Sequence, residues 1–358
     1  MERAVQAQLI TFLKDNEVFS KFQSGFRKRH SSKTAIVYLT DQIVEHMDNQ
    51  RMCGTVFIDL KKAFDLVDHK CLLHKLDHYG VRGNALTWFE DYITTRTQKV
   101  NYDGKLSSSL EVECGVPQGS ILGPLCFIFY INDLPECVTD CNINMYADDT
   151  IIYFAAKSKT EIEITLQNDL NRVSDWMKEN RLIVNHTKTK TMLIGSRPRL
   201  KNIQTFDILM GGKRIERVTK CDKNLGVILD QHLVWHEHVE STGKMVAKRL
   251  GILSRIRYCL TLDAANRVYN TMIQPIFDHA DTSWGVLSEV CNNELQRLQN
   301  RAACIVLRRN RTENCLSSLN WLHLSTRRKI HRCVLVFKIF NCVPVYFNDY
   351  FTKKLKCS

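Results

Sequence analysis

Asp148 and Asp149 stand side by side between two short apolar runs, residues 143–146 and 150–154. The runs have the composition of β-strands, and strands this apolar belong in a protein interior. That is a costly place for two uncompensated charges. The pair is therefore expected at the turn of a β-hairpin, with something nearby to offset its charge. An Asp-Asp pair alone is an ordinary solvated turn; its apolar flanks make this one informative.

A third acid fits the same sheet. Thr55-Val56-Phe57-Ile58 is β-branched and aromatic and runs into Asp59. A helix follows, carried by Leu72, Leu73, Leu76 and Tyr79 and ending at Gly80. Adjacent strands lie about 4.8 Å apart, so one sheet can bring Asp59 to the Asp148-Asp149 turn. Three clustered carboxylates repel unless protonated or metal-bound, and hard oxygen ligands of this kind favour Mg²⁺. Two such ions about 4 Å apart can activate a 3′-hydroxyl and stabilise a leaving pyrophosphate.

The rest of the chain alternates helix and strand. Ile36, Leu39, Ile43 and Met47 predict a helix over 33–47, and residues 92–113 predict a hairpin around Asp103-Gly104. Residues 125–134 read as a buried helix after Pro124. Ser158 and Glu161 have capping-box spacing before a long amphipathic helix marked by Ile162, Leu166, Leu170, Val173 and Met177. Residues 182–184, 191–194 and 225–229 read as strands. Beyond Trp235, itself a core candidate, the pattern turns helical: Leu295, Leu298, Ala302 and Ile305 keep helical period, with Arg297, Arg301 and Arg308 on the adjoining flank.

At 358 residues the chain exceeds one core, so two or three subdomains are expected. The net charge of +12 is unevenly spread: residues 241–358 hold 19 Lys/Arg against seven Asp/Glu, while residues 1–240 hold 31 of each. Such a region attracts polyanions, nucleic acid or an anionic membrane surface alike. The fourteen cysteines form no CxxC pair, and no apolar run is long enough to span a bilayer. An intracellular protein, nuclear or cytoplasmic, is expected. His232, His236 and His238 surround Trp235 but match no zinc spacing, so packing and capping are their expected roles.

Three segments carry a family resemblance: Phe57-Ile58-Asp59-Leu60-Lys61-Lys62-Ala63-Phe64-Asp65, then Gly115-Val116-Pro117-Gln118-Gly119-Ser120 with Leu122-Gly123-Pro124, then Tyr146-Ala147-Asp148-Asp149-Thr150. In order and spacing they resemble the reverse transcriptases of non-LTR (LINE-type, jockey-like) retrotransposons. Gln23-Ser24-Gly25-Phe26-Arg27, Asn185 with Lys188, and Leu225-Gly226-Val227 resemble further family motifs. The resemblance implies an α+β right-hand polymerase: partial fingers over 1–50, an antiparallel palm sheet with packed helices over 51–235, and a basic helical thumb over 236–358. It implies RNA-directed DNA synthesis from dNTPs on an RNA template, with a DNA primer or target, two Mg²⁺ ions with Mn²⁺ as a substitute, and no membrane partner.

Residue by residue, the resemblance makes Asp59, Asp148 and Asp149 the metal-binding carboxylates, with the Leu60 backbone beside one ion. Phe64 would lie under the incoming sugar and exclude a 2′-hydroxyl; as a plain core aromatic it would need no such role. Gln118 and Gly119 would border the nucleotide pocket, where glycine permits close backbone approach. Lys188 would serve the departing pyrophosphate. Arg27 would contact template or phosphates. Arg297, Arg301 and Arg308, with Arg309, Arg311, Arg327, Arg328 and Lys329, would follow a duplex by its phosphates, although a solvated basic face would look the same in sequence.

The family also carries an upstream Arg-Pro-Ile segment and an endonuclease. The chain starts at Met1-Glu2-Arg3, which resembles the middle of a helix beyond that segment. The expectation is a 5′-truncated copy with incomplete fingers, the alternative being an inactive remnant that only binds nucleic acid.

Overall fold

The computed structural model describes residues 1–309 and 314–342. They fall into two compact units: residues 1–31, 46–193 and 198–218 form the first, and residues 32–45, 194–197 and 219–358 the second.

The first unit is built on a five-stranded sheet: β1 (Met52–Ile58), β2 (Asn142–Tyr146), β3 (Asp149–Ala156), β4 (Lys190–Ile194) and β5 (Glu216–Arg217), in the order β5-β4-β1-β3-β2. β1 and β2 both pair antiparallel with β3, as expected, whereas the two-residue edge strand β5 joins β4 in parallel. All seven residues of β1 are buried, which accounts for its near-continuous apolar character. The Lys159–Glu179 helix packs on β1 and β3 through the five residues that the pattern named, Ile162, Leu166, Leu170, Val173 and Met177. It approaches so closely that a Cβ on Gly54 would lie 2.3 Å from Ile162. Ser158 stands at the N-cap of this helix but makes no side-chain capping bond, so the capping-box expectation fails there.

The Gly123–Tyr130 helix starts on Gly123-Pro124, is buried along nearly its whole surface, and packs against the His69–His78 helix, whose N-cap Asp68 accepts from Cys71 N at 2.9 Å. The hairpin expected over 92–113 exists as two short pairings, Thr97–Gln98 with Leu110–Glu111 and Asn101–Tyr102 with Lys105–Leu106, turning at Asp103 and Gly104 with φ of 48° and 78°. Its predicted start at residue 92 belongs to the Asn84–Thr94 helix instead.

The second unit is mostly helical. Residues 32–45 of the Ser32–Asp48 helix cluster here, Val37 packing with Ile339. The Lys220–Asn224 and Val227–Asp230 ribbon turns at Leu225-Gly226, later than the strand predicted from 225. The helix His236–Ile256 packs on the segments that hold buried Tyr269 and Phe277, the helix Leu324–Cys342 on the one that holds buried Trp284, and both on the helix Glu289–Leu307. Arg257, 8% exposed, donates to the Val306 carbonyl at 2.8 and 2.7 Å, closing the end of the Glu289–Leu307 helix. Among the described residues no helix is long and apolar enough to cross a membrane.

Candidate active site

The sheet brings the three acids together. The β1–β3 register pairs Ile58 with Thr150, so the next step along the two chains sets Asp59 against Asp149. Tyr146 pairs with Asp149 across the β2–β3 hairpin, leaving Ala147 and Asp148 as its turn; Asp149 is thus the first residue of a strand. Burial raises the Asp148 carboxyl above its ordinary value, and Asp59 adds to the effect. Asp149 stays open to water, yet the protein around its carboxyl desolvates it enough to push it up to about 6, helped by the charges of Asp148 and Asp59. Carboxylates are hard oxygen donors, and a set of them is the kind that a divalent cation takes. By residue type they suit such an ion; among the described residues, the group whose ligand atoms already lie within 4.8 Å of one another is Asp278, Asp281 and His331.

A loop fixes Asp59 from the other side. Its backbone N donates to Thr189 Oγ1 at 3.2 Å, its carbonyl accepts from Asn185 N at 2.8 Å, and Lys61 N donates to the Ile183 carbonyl at 2.8 Å. Residues 182–184 therefore do not form the predicted strand; one bridge, Leu60 with Val184, is what they contribute. A tight turn, Lys188 N to the Asn185 carbonyl at 3.1 Å, leaves Lys188 exposed in the loop that touches Asp59.

The Asp148 turn is held by a contact that the sequence reading missed. Gln23 is fully buried; its Oε1 accepts from Ala147 N at 2.8 Å and from Gly25 N at 2.7 Å, and its Nε2 donates to the Ala147 carbonyl at 3.2 Å. Ser24 N donates to the Met145 carbonyl at 2.8 Å and Met145 N to the Phe22 carbonyl at 3.0 Å, so residues 22–25 run along the free edge of β2. Arg27 closes this segment on itself, donating from Nη1 to the Ser20 and Gln23 carbonyls at 2.7 and 2.9 Å.

Phe64 is half-buried, stacked on Phe127 at 4.4 Å between centroids, with Phe26 edge-on at 6.4 Å. Gln118 is exposed and donates to Asp65 Oδ1 at 2.8 Å. Gly119 has φ of 82°, a conformation that favours glycine, and open space where a side chain would stand. A groove of about 680 Å³, lined by Lys62, Asp65, Arg96, Gln98 and Gln118 among others, runs beside this turn.

The basic residues named from sequence divide by environment. Arg297 and Arg301 are exposed on the Glu289–Leu307 helix. Arg308 lies just past that helix and donates to the Arg257 and Tyr258 carbonyls at 2.9 and 3.0 Å. Arg327 forms a two-point pair with Asp278, both contacts at 2.7 Å. Arg328 is 3% exposed over the Trp284 ring, which removes it from any phosphate-facing surface. Arg311 lies outside the described residues. The described ones belong to the second unit, the carboxylates to the first. Of the three histidines, His238 accepts from Ile228 N and stands against Trp284, His232 bonds the Gly195 carbonyl, and His236 Nδ1 lies 3.8 Å from Cys291 Sγ; none is seen to cap a helix. Trp235 is buried.

On this α+β scaffold, Asp59 and Asp149 stand at neighbouring strand ends, with Asp148 in the adjoining turn. The family described as "Reverse transcriptase (RNA-dependent DNA polymerase)" matches residues 1–241, and the chain belongs to that family. It is 29% identical to the "Probable RNA-directed DNA polymerase from transposon BS" of Drosophila melanogaster, over 84% of this chain and 34% of that protein. It is 26% identical to the RNA-directed DNA polymerase from mobile element jockey of the same species, over 84% of this chain and 33% of that protein. The chain thus spans about a third of the length of the curated relatives it matches. Among solved structures, apo telomerase from Candida tropicalis aligns over 92% of this chain and 58% of that one, at 12% identity and a TM-score of 0.45, too distant to add to the argument.

Proposed function

We propose that this chain is an RNA-directed DNA polymerase of a non-LTR retrotransposon, extending a DNA primer on an RNA template with dNTPs. The observation that carries the reading is the crowding of Asp59, Asp148 and Asp149 at adjoining strand ends, with the Asp149 carboxyl pushed up to about 6. In this reading the three carboxylates hold Mg²⁺, or Mn²⁺ in its place, with the Leu60 backbone beside them. The bound ions supply charge stabilisation at the attacking and leaving oxygens.

The chain's own residues do the rest. Phe64 lies under the sugar and excludes a 2′-hydroxyl. Gln118 and Gly119 border the base pair being formed, where an open left-handed turn admits a close strand. Lys188, exposed in the loop against Asp59, donates a proton or a charge-assisted hydrogen bond to the departing pyrophosphate. Arg27 serves the site indirectly, by closing the turn over residues 20–27. Arg297 and Arg301, with Arg308 at their helix end, offer their charge to the duplex backbone. The regions take the roles of fingers over 1–50, palm over 51–235 and thumb over 236–358.

The test is primer extension by the purified chain on poly(rA)/oligo(dT) with Mg²⁺, beside a DNA template of matching sequence. RNA-templated, EDTA-sensitive incorporation of dTTP is expected. Incorporation confined to the DNA template would overturn the RNA-directed reading.

A further inference from the structure

Four consecutive residues near the N-terminus touch both halves of the proposed centre, the carboxylate turn and the sugar-facing aromatic. We propose that Gln23–Phe26 is a positioning element: Gln23 sets the direction of the Asp148 turn, and Phe26 sets the tilt of Phe64 and with it discrimination at the sugar 2′ position. The inference rests on the polymerase reading above and deepens it.

The Gln23 half stands on hydrogen-bond geometry. Ala147 adopts φ of 55°, a left-handed conformation that side-chain-bearing residues avoid. Something must hold it there, and the Gln23 amide does so from both sides, accepting from Ala147 N and donating to the Ala147 carbonyl. Both peptide planes around Ala147 are thereby fixed, and Asp148 follows directly. A Cβ on Gly25 would lie 2.3 Å from Ala147 N, so only glycine allows the two backbones to approach this closely. All these groups are buried, where each hydrogen bond is firm and each loss leaves an unpaired polar group.

The Phe26 half stands on an apparent misfit. Phe26 has φ of 53° and is 57% exposed, so a large aromatic side chain is both strained and left in water. Its ring meets Phe64 edge-on, with an interplanar angle of 86°, while Phe64 rests on Phe127 at 27°. Phe64 is therefore held from beneath by a buried ring and from the side by an exposed one. Removing the exposed ring frees Phe64 to tilt, and a tilted ring widens the space a ribose needs. Both penalties at Phe26 are explained if an incoming nucleotide completes the contact.

The two halves call for different readouts. Gln23→Ala is expected to weaken Mn²⁺ binding to the metal-free protein, followed by electron paramagnetic resonance, and to lower kcat by about tenfold with KM for dTTP little changed. Near-UV circular dichroism checks the fold, and Gln23→Glu, which sets a carboxylate oxygen against the Ala147 carbonyl in place of the amide donor, is expected not to restore the parent kcat. Phe26→Ala, a surface change, is expected to leave Mn²⁺ binding intact and to reduce dTTP-over-UTP selectivity by about fivefold or more, with Phe26→Tyr restoring it. Parent-like Mn²⁺ affinity and kcat in folded Gln23→Ala would overturn the first half, and unchanged selectivity in Phe26→Ala the second. If the parent chain itself incorporates nothing while Gln23→Ala still loses Mn²⁺ affinity, the polymerase reading fails and the clamp on the metal turn stands.

Discussion

At the scale of single residues, the centre is defined by charge that the fold concentrates. Asp149 is raised to about 6 by desolvation first and by Asp148 and Asp59 next. Its folded value lies above the unfolded carboxylate value near 4, so the metal-free folded state binds the proton more tightly than the unfolded chain does. Its stabilising contribution is present at low pH and is lost as pH rises from about 4 through about 6. Asp149 keeps contact with water, so screening holds the effect to on the order of 1 kcal/mol. Thermal melts of the metal-free chain should therefore show Asp149→Asn gaining stability over the parent at pH 7.5 and not at pH 4. A gain of equal size at both values would contradict the shift. Divalent-ion affinity should fall as pH drops below about 6, because the ligands must be ionised to bind.

At the scale of elements, a single helix residue anchors the loop that feeds the hairpin. Asp169, fully buried in the Lys159–Glu179 helix, accepts from the backbone N of Thr139, Asp140 and Cys141 at 3.3, 3.2 and 2.7 Å and pairs with Arg172. Asp169→Ala leaves those donors unmet just before β2 and should destabilise the first unit by about 3 kcal/mol; urea unfolding measures it, and a loss under 0.5 kcal/mol would contradict the role. How much of this was legible in sequence follows from the range of each interaction. The Lys159–Glu179 helix and strands β1 to β3 announce themselves through local periodicity, since their burial repeats within a few residues. Asp59, Asp148 and Asp149 were legible because acids among apolar strand residues are conspicuous. The Gln23 clamp was not: its partner is 124 positions away and a buried glutamine looks in sequence like any other. Residues 182–184 have strand composition, yet they pair at one bridge because the loop is spent on Asp59 backbone contacts. Likewise, Arg328 and Arg297 look alike as letters, and only packing separates the buried residue from the exposed one.

At the scale of the whole molecule, the charge divides along the chain: residues 1–240 are charge-balanced and hold the carboxylates, and residues 241–358 hold the entire +12 excess. If Arg297 and Arg301 face phosphate, their double alanine variant should bind an RNA–DNA duplex more weakly, with a salt dependence of log K shallower by about 2. An unchanged slope would mark them as solvated surface. The central claim is that the carboxylates at the β1–β3 rim are the polymerase centre. Its most direct test is Mg²⁺-dependent dTTP incorporation on poly(rA)/oligo(dT) by the parent chain and by Asp148→Ala/Asp149→Ala, with folding of both checked by circular dichroism. A loss of about a thousandfold or more is expected in the folded double variant, and equal product from the two proteins would contradict the assignment.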